Sequence, residues 1–186
     1  VTIMQMDEGL DTGAMLDKES VEISDTDNRV HLEEKLQIAG QTALLRTLGD
    51  LHRYQSSASI QNDADSCYAA KLEKREAFID WSLSAQEIDR QIRAGIGRNP
   101  AYTLFHEQRL RVLEATVIEE EFADRPGTIV KSDKKSFTVS CGSHALNILN
   151  VQLPGKNPTA VSDITNSRPE LFAKGENFSS ELLTPQ

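Results

Sequence analysis

After Pro100 the chain abandons helical periodicity for a succession of short strands. Ala101 to Phe105 and Arg109 to Ile118 flank His106-Glu107-Gln108 as in a hairpin. Further runs follow at Gly127 to Val130, Ser136 to Cys141 and Ala145 to Leu153, each separated from the next by turn residues. Just upstream, Ser84-Ala85-Gln86-Glu87 has the form of a capping box, in which the serine and glutamate each satisfy a free backbone N–H. Ile88 and Ile92 continue one buried face, and Gly95 and Gly97 stop the helix after about three turns. Five short strands with one capped helix suit a small β-barrel of oligonucleotide-binding-like type over residues 74–186. Val161 to Asn166 adds a helical turn before Pro169, and Asn177 to Gln186 reads as a loose tail.

The first third follows different rules. Thr2 to Met6 reads as a strand, Asp7 to Gly13 as a sharply bending loop with two glycines, and Met15 to Ile23 as room for another strand. Ser24-Asp25-Thr26-Asp27 supplies helix start signals. Beyond it Leu32, Leu36, Leu44, Leu48 and Leu51 recur at helical spacing, which predicts one amphipathic helix from Asn28 to Leu51. A strand, a loop and one helix do not close a core. The expectation is that Val1 lies inside a folded region and that residues 1–54 are poorly ordered in solution, which slow amide exchange throughout would contradict. From Tyr54 to Ser66 almost nothing is apolar, so residues 55–73 are expected to link an α/β part, residues 1–54, to the barrel.

Composition bounds the function classes. No apolar run approaches the roughly 20 residues that span a bilayer, and the N-terminus carries no signal-peptide pattern. Cys67 and Cys141 fit neither a disulfide framework nor a metal-ligand spacing, which points to reduced thiols, a cytoplasmic protein and no metal. His31, His52, His106 and His144 form no ligand pattern either. Residues 1–70 carry a net charge of −8 and residues 71–186 a net charge of −1, out of −9 overall. That balance argues against holding nucleic acid by bulk charge but leaves room for a local basic face in the second half. Lys71, Lys74 and Arg75 lie past the linker, and Arg90, Arg93 and Arg98 on and after the capped helix. They read either as solvated surface or as phosphate contacts. Asp11 reads either as a turn-former or as a carboxylate at the C-terminal end of a strand, where open α/β sheets place their chemistry. Trp81 reads as core.

Four segments carry a resemblance. Val1-Thr2-Ile3-Met4-Gln5-Met6-Asp7-Glu8-Gly9-Leu10-Asp11-Thr12-Gly13 resembles the strand and loop that end the active site of methionyl-tRNA formyltransferases. Tyr68-Ala69-Ala70-Lys71-Leu72 leading to Ile79-Asp80-Trp81-Ser82 resembles the entry to that family's C-terminal domain. Leu146-Asn147-Ile148-Leu149 with Gln152-Leu153-Pro154-Gly155-Lys156, and then Asn166-Ser167-Arg168, match further along. Order and spacing agree from Val1 to about Phe178.

The resemblance implies the end of a Rossmann-like α/β catalytic domain followed by a barrel that helps hold tRNA. It implies transfer of a formyl group from 10-formyltetrahydrofolate to the methionine of initiator Met-tRNA, by a monomer. Asp11 takes the position of the catalytic aspartate, which would hold a histidine in the protonation state that stabilises the oxyanion. Met6, Asp7 and Glu8 would line the pterin pocket, and Lys71, Lys74, Arg93 and Arg98 are the candidate tRNA contacts. The sequence departs from the family in three ways. It lacks the upstream Asn-x-His pair and Ser-Leu-Leu-Pro segment, so it is expected to be inactive alone. It has Ala14 where an aspartate is usual, and Ile96-Gly97-Arg98-Asn99 where Asn-Pro-Trp-Pro is usual. Two rival readings are a tRNA-binding module without chemistry and a formyltransferase acting on a sugar nucleotide.

Overall fold

A computed structural model describes residues 1–179, and their contacts divide them into two compact units, Val1–Lys71 and Leu72 onward. In the first unit, β1 (Thr2–Met4) and β2 (Met15–Lys18) pair antiparallel, with Thr2 opposite Lys18 and Met4 opposite Met15. The helix α1 (Arg29–Gly49) begins where Asn28 accepts a hydrogen bond from the His31 N–H at 3.0 Å, satisfying one of the free donors of its first turn. The predicted helix forms and ends two residues early at Asp50, whose backbone leaves the helical region and whose side chain caps a second helix, α2 (Leu51–Ser56).

The face that α1 buries is not the leucine stripe. Ala39, Ala43 and Thr47 are buried, while of the stripe Leu44, Leu48 and Leu51 stay exposed and Leu32 and Leu36 are half-buried. The only sheet beneath α1 in this unit has two short strands, and small side chains let the helix approach it closely. Arg46 fixes that approach, donating from Nε and Nη2 to Asp17 Oδ2 at 2.9 and 2.7 Å and pairing through Nη1 with Glu19. These bonds hold the Asp17 carboxyl below its ordinary value.

The second unit is an antiparallel sheet wrapped on a helix. Its strands are β3 (Tyr102–Phe105), β4 (Gln108–Ile118), β5 (Ile129–Ser132), β6 (Phe137–Ser140) and β7 (Ala145–Gln152), in the spatial order β3-β4-β7-β6-β5. A two-residue strand, β8 (Thr159–Ala160), adds to β7 and leads into α4 (Val161–Ser167). Sequence pattern did not reveal β8, because two residues carry no period. The capped helix forms as expected: α3 (Ala85–Gly95) starts at Ser84, with the reciprocal bonds between Ser84 and Glu87 both present.

The supposed loose tail is structural as far as Ser179. Gly175 N–H donates to Ile129 O and Ile129 N–H to Glu176 O, both at 2.8 Å, along the β5 edge. Phe178 N–H donates to Gly127 O at 2.9 Å and Ser179 N–H to Leu104 O at 3.0 Å, the latter on the β3 edge. One segment therefore satisfies the free backbone groups at both sheet edges, which would otherwise stand open. Phe178 anchors it by stacking on the fully buried Trp81, ring centroids 5.5 Å apart. The rest of that expected tail, residues 180–186, lies outside the described residues. Ile79, Ile88, Ile92, Phe137, Ile148 and Phe172 complete the core around Trp81.

Candidate active-site loop and basic surfaces

The loop between β1 and β2 is held by its own polar groups. Gln5 N–H donates to Ala14 O at 2.9 Å across its base. Asp7 Oδ1 accepts from the Gly9 N–H at 3.0 Å and from Thr12 Oγ1 at 2.5 Å, which folds the loop over. Gly13 is required by a close approach, since a Cβ there would lie 1.6 Å from the Gln5 carbonyl oxygen. We expect Gly13→Ala to lower the stability of this unit by more than about 1 kcal/mol. An unchanged denaturation midpoint would show that the loop can rearrange around a methyl group.

Asp11 sits at the loop's far side with φ of +57°, a left-handed conformation that aspartate tolerates better than most residues. Gln61 holds its backbone there: Gln61 Nε2 donates to Asp11 O at 2.7 Å and to Gly13 O at 2.8 Å. The segment after α2 is thus folded back on the loop, and Ser59 also pairs with Met15 through two backbone hydrogen bonds. Among the described residues no hydrogen bond or ion pair engages the Asp11 carboxylate, which lines an open groove of about 590 Å³ with Thr12, Lys18, Gln61, Cys67 and Tyr68. Met6, Asp7 and Glu8 are exposed on the same loop, Met6 by 81%. Gln61 was not singled out by the sequence, and no local pattern could have found it, since its partners are about fifty residues away.

The basic candidates separate. Lys71 closes the first unit and is exposed. In the second unit Lys74 occupies a short 3₁₀ turn (Lys74–Ala77) tied to α3 by Gln91 Nε2, which donates to Glu76 O and Phe78 O at 2.7 and 2.9 Å. Asn99 Nδ2 reaches Glu73 O at 3.4 Å, so Lys74 and Arg98 lie on neighbouring turns and both are exposed. Arg93 is half-buried and engaged by Asp89 on its own helix at 2.8 Å. A second basic group went unnoticed in the sequence: Arg109 and Arg111 on β4, Lys156 after β7 and Arg168 after α4 line adjoining grooves around Leu153. The antiparallel register, with Arg111 opposite Gln152, brings together residues more than forty positions apart.

Comparison with known proteins gives these geometries a context. The family model described as formyl transferase matches residues 1–48, and the one described as formyl transferase, C-terminal domain matches residues 71–169. A methionyl-tRNA formyltransferase of Coxiella burnetii is 38% identical over 176 residues, which are 95% of this chain and 56% of that protein. One from Marinobacter nauticus is 37% identical over 178 residues, 96% of this chain and 57% of the relative. The chain thus spans little more than half the length of these relatives. Among solved structures, HypX from Aquifex aeolicus in complex with tetrahydrofolic acid superposes with a TM-score of 0.65 at 14% identity, covering 89% of this chain and 29% of that one. WlaRD, a sugar 3N-formyl transferase, superposes with a TM-score of 0.60 at 18% identity over 84% of this chain and 55% of that one. At such identities the superpositions speak for the fold alone. With both family models matched in order along its length, the chain belongs to the formyl transferase family.

Proposed function

We propose that the protein to which this chain belongs transfers a formyl group from 10-formyltetrahydrofolate to the methionine amino group of initiator Met-tRNA. The observation that carries this reading is the identity with methionyl-tRNA formyltransferases, sustained through both units over 95% of the chain. The folate supplies the activated one-carbon group. The residues present suit a flat heterocycle: the loop is braced from within by Asp7 and Thr12, while Met6 and Leu10, 81% and 86% exposed, offer bare apolar surface.

Asp11 is the catalytic carboxylate in this proposal. Its backbone is fixed by Gln61 and its side chain is left unengaged among the described residues, so it can orient and charge-stabilise a histidine supplied by the Asn-x-His segment that this chain does not contain. The second unit, read as an oligonucleotide-binding-like barrel over residues 74–186, holds the tRNA, with Lys74, Arg93 and Arg98 among its phosphate contacts and Lys71, at the end of the first unit, adding another. The enzyme works as a monomer in the cytoplasm; among the described residues no helix is long and apolar enough to cross a membrane.

Binding of initiator tRNA to this chain, followed as salt is raised, tests the part of the proposal that needs no upstream segment. Affinity falling steeply with log salt supports it. Absent or salt-independent binding would favour an acceptor smaller than tRNA, such as the sugar nucleotide.

A further inference from the structure

The groove on the second unit that contains Lys156 and Arg168 has features that a plain phosphate contact does not need. Its volume is about 280 Å³, and its floor is apolar, with Leu153 and Leu171, while Arg109, Lys156 and Arg168 supply positive charge at its margin. His106 forms part of the same wall. It sits at the tip of the β3–β4 hairpin, where His106 and Glu107 both adopt positive φ, +48° and +62°, without a glycine. Two-residue hairpin turns of this geometry favour Asn-Gly or Asp-Gly, so His-Glu is a costly choice.

That turn fixes the imidazole in one place. One face of the ring stacks on Phe105 at 4.2 Å between centroids, and Nε2 lies 2.9 Å from Glu176 Oε2. The side chain nonetheless remains 61% exposed. Phe105 is itself buried among Phe172 and Phe178, so the ring rests on a rigid aromatic stack. An oriented, accessible ring beside an apolar floor and three cations matches the chemistry of one nucleotide: a flat base and its flanking phosphates.

We propose that this groove takes an unpaired nucleotide of the RNA, its base on His106 and the Leu153–Leu171 floor and its phosphates on Arg109, Lys156 and Arg168. The inference rests on the tRNA reading above and goes further by assigning a base-stacking residue. Phosphate contacts position an RNA without telling one fold from another, whereas a pocket for an extruded base selects RNAs that present one. His106 is then a specificity-determining residue.

The test measures binding of initiator tRNA, and of a perfectly paired RNA duplex of similar length, by the whole chain and its variants. His106→Asn removes the ring but keeps a residue that tolerates the left-handed turn. It is expected to weaken tRNA binding about 10-fold, to leave duplex binding unchanged and to leave the salt slope intact. His106→Tyr, which restores a stacking ring, is expected to recover most of the loss. Lys156→Ala and Arg168→Ala should weaken both RNAs and each reduce the salt slope by about 1. If the unaltered chain binds tRNA but His106→Asn binds it equally well, the nucleotide pocket is refuted and the tRNA reading stands. If the unaltered chain binds no tRNA, the tRNA reading itself fails and this inference goes with it.

Discussion

Replacing Asp11 by Asn in the full-length gene product is expected to lower the rate of formyl transfer about 10²- to 10⁴-fold, the range typical of losing one positioned proton-handling group. The substitution is chosen from the backbone. Asp11 has φ of +57°, and asparagine shares with aspartate a tolerance for that region. The two bonds from Gln61 go to the main-chain oxygens of Asp11 and Gly13, so they survive a change of side chain. What disappears is the negative charge facing the groove. The loss should therefore fall on kcat, with the KM for tRNA little altered and the unfolding midpoint unchanged. Full activity in Asp11→Asn would remove Asp11 from the chemistry and return it to a turn-forming role. A shifted midpoint would show instead that the carboxylate serves the loop's structure.

The largest expected effect on stability lies in the second unit. Trp81→Ala should destabilise it by about 3–5 kcal/mol, the usual cost of truncating a large buried aromatic. Trp81 is fully buried, its Nε1 donates to Thr103 Oγ1 at 3.0 Å, and its ring stacks on Phe178. Phe178 anchors the segment that satisfies both sheet edges, so losing the indole should also loosen Gly175–Ser179. Amide exchange at Phe178 and Ser179 should then accelerate more than at Ile148 in the central strand. An unfolding free energy within about 1 kcal/mol of the unaltered protein would mean that neighbouring rings refill the space.

What the sequence makes legible follows from how local each signal is. The Ser84–Glu87 capping box, the end of α3 at Gly95 and the positions of the five longer strands along the chain depend on residues a few positions apart, and all appear in the structure. Trp81 as core follows equally from its size and apolarity. The leucine stripe of α1 misleads for a physical reason: periodicity identifies an apolar face but not which face a given neighbour covers. In this unit the neighbour is two short strands, and they meet the alanines at 39 and 43. The Asn177–Ser179 stretch misleads in the opposite way, since its order comes from sheet edges whose free backbone groups no sequence pattern displays.

The site divides along the same line. The Asp7-to-Gly13 loop is legible because its turn residues and its resemblance are contiguous. The role of Gln61, and the meeting of His106, Arg109, Lys156 and Arg168, depend on folding distant segments together. Lys71 and Lys74, three positions apart in sequence, fall in different compact units.

The most direct test of the proposed activity offers the full-length gene product 10-formyltetrahydrofolate with two acceptors in parallel, initiator Met-tRNA and an amino sugar linked to a nucleoside diphosphate. Formylation of the methionyl amino group, with the sugar left untouched, is the result expected here. Formylation of the sugar with Met-tRNA unmodified would contradict it, keeping the family and the fold but replacing the acceptor.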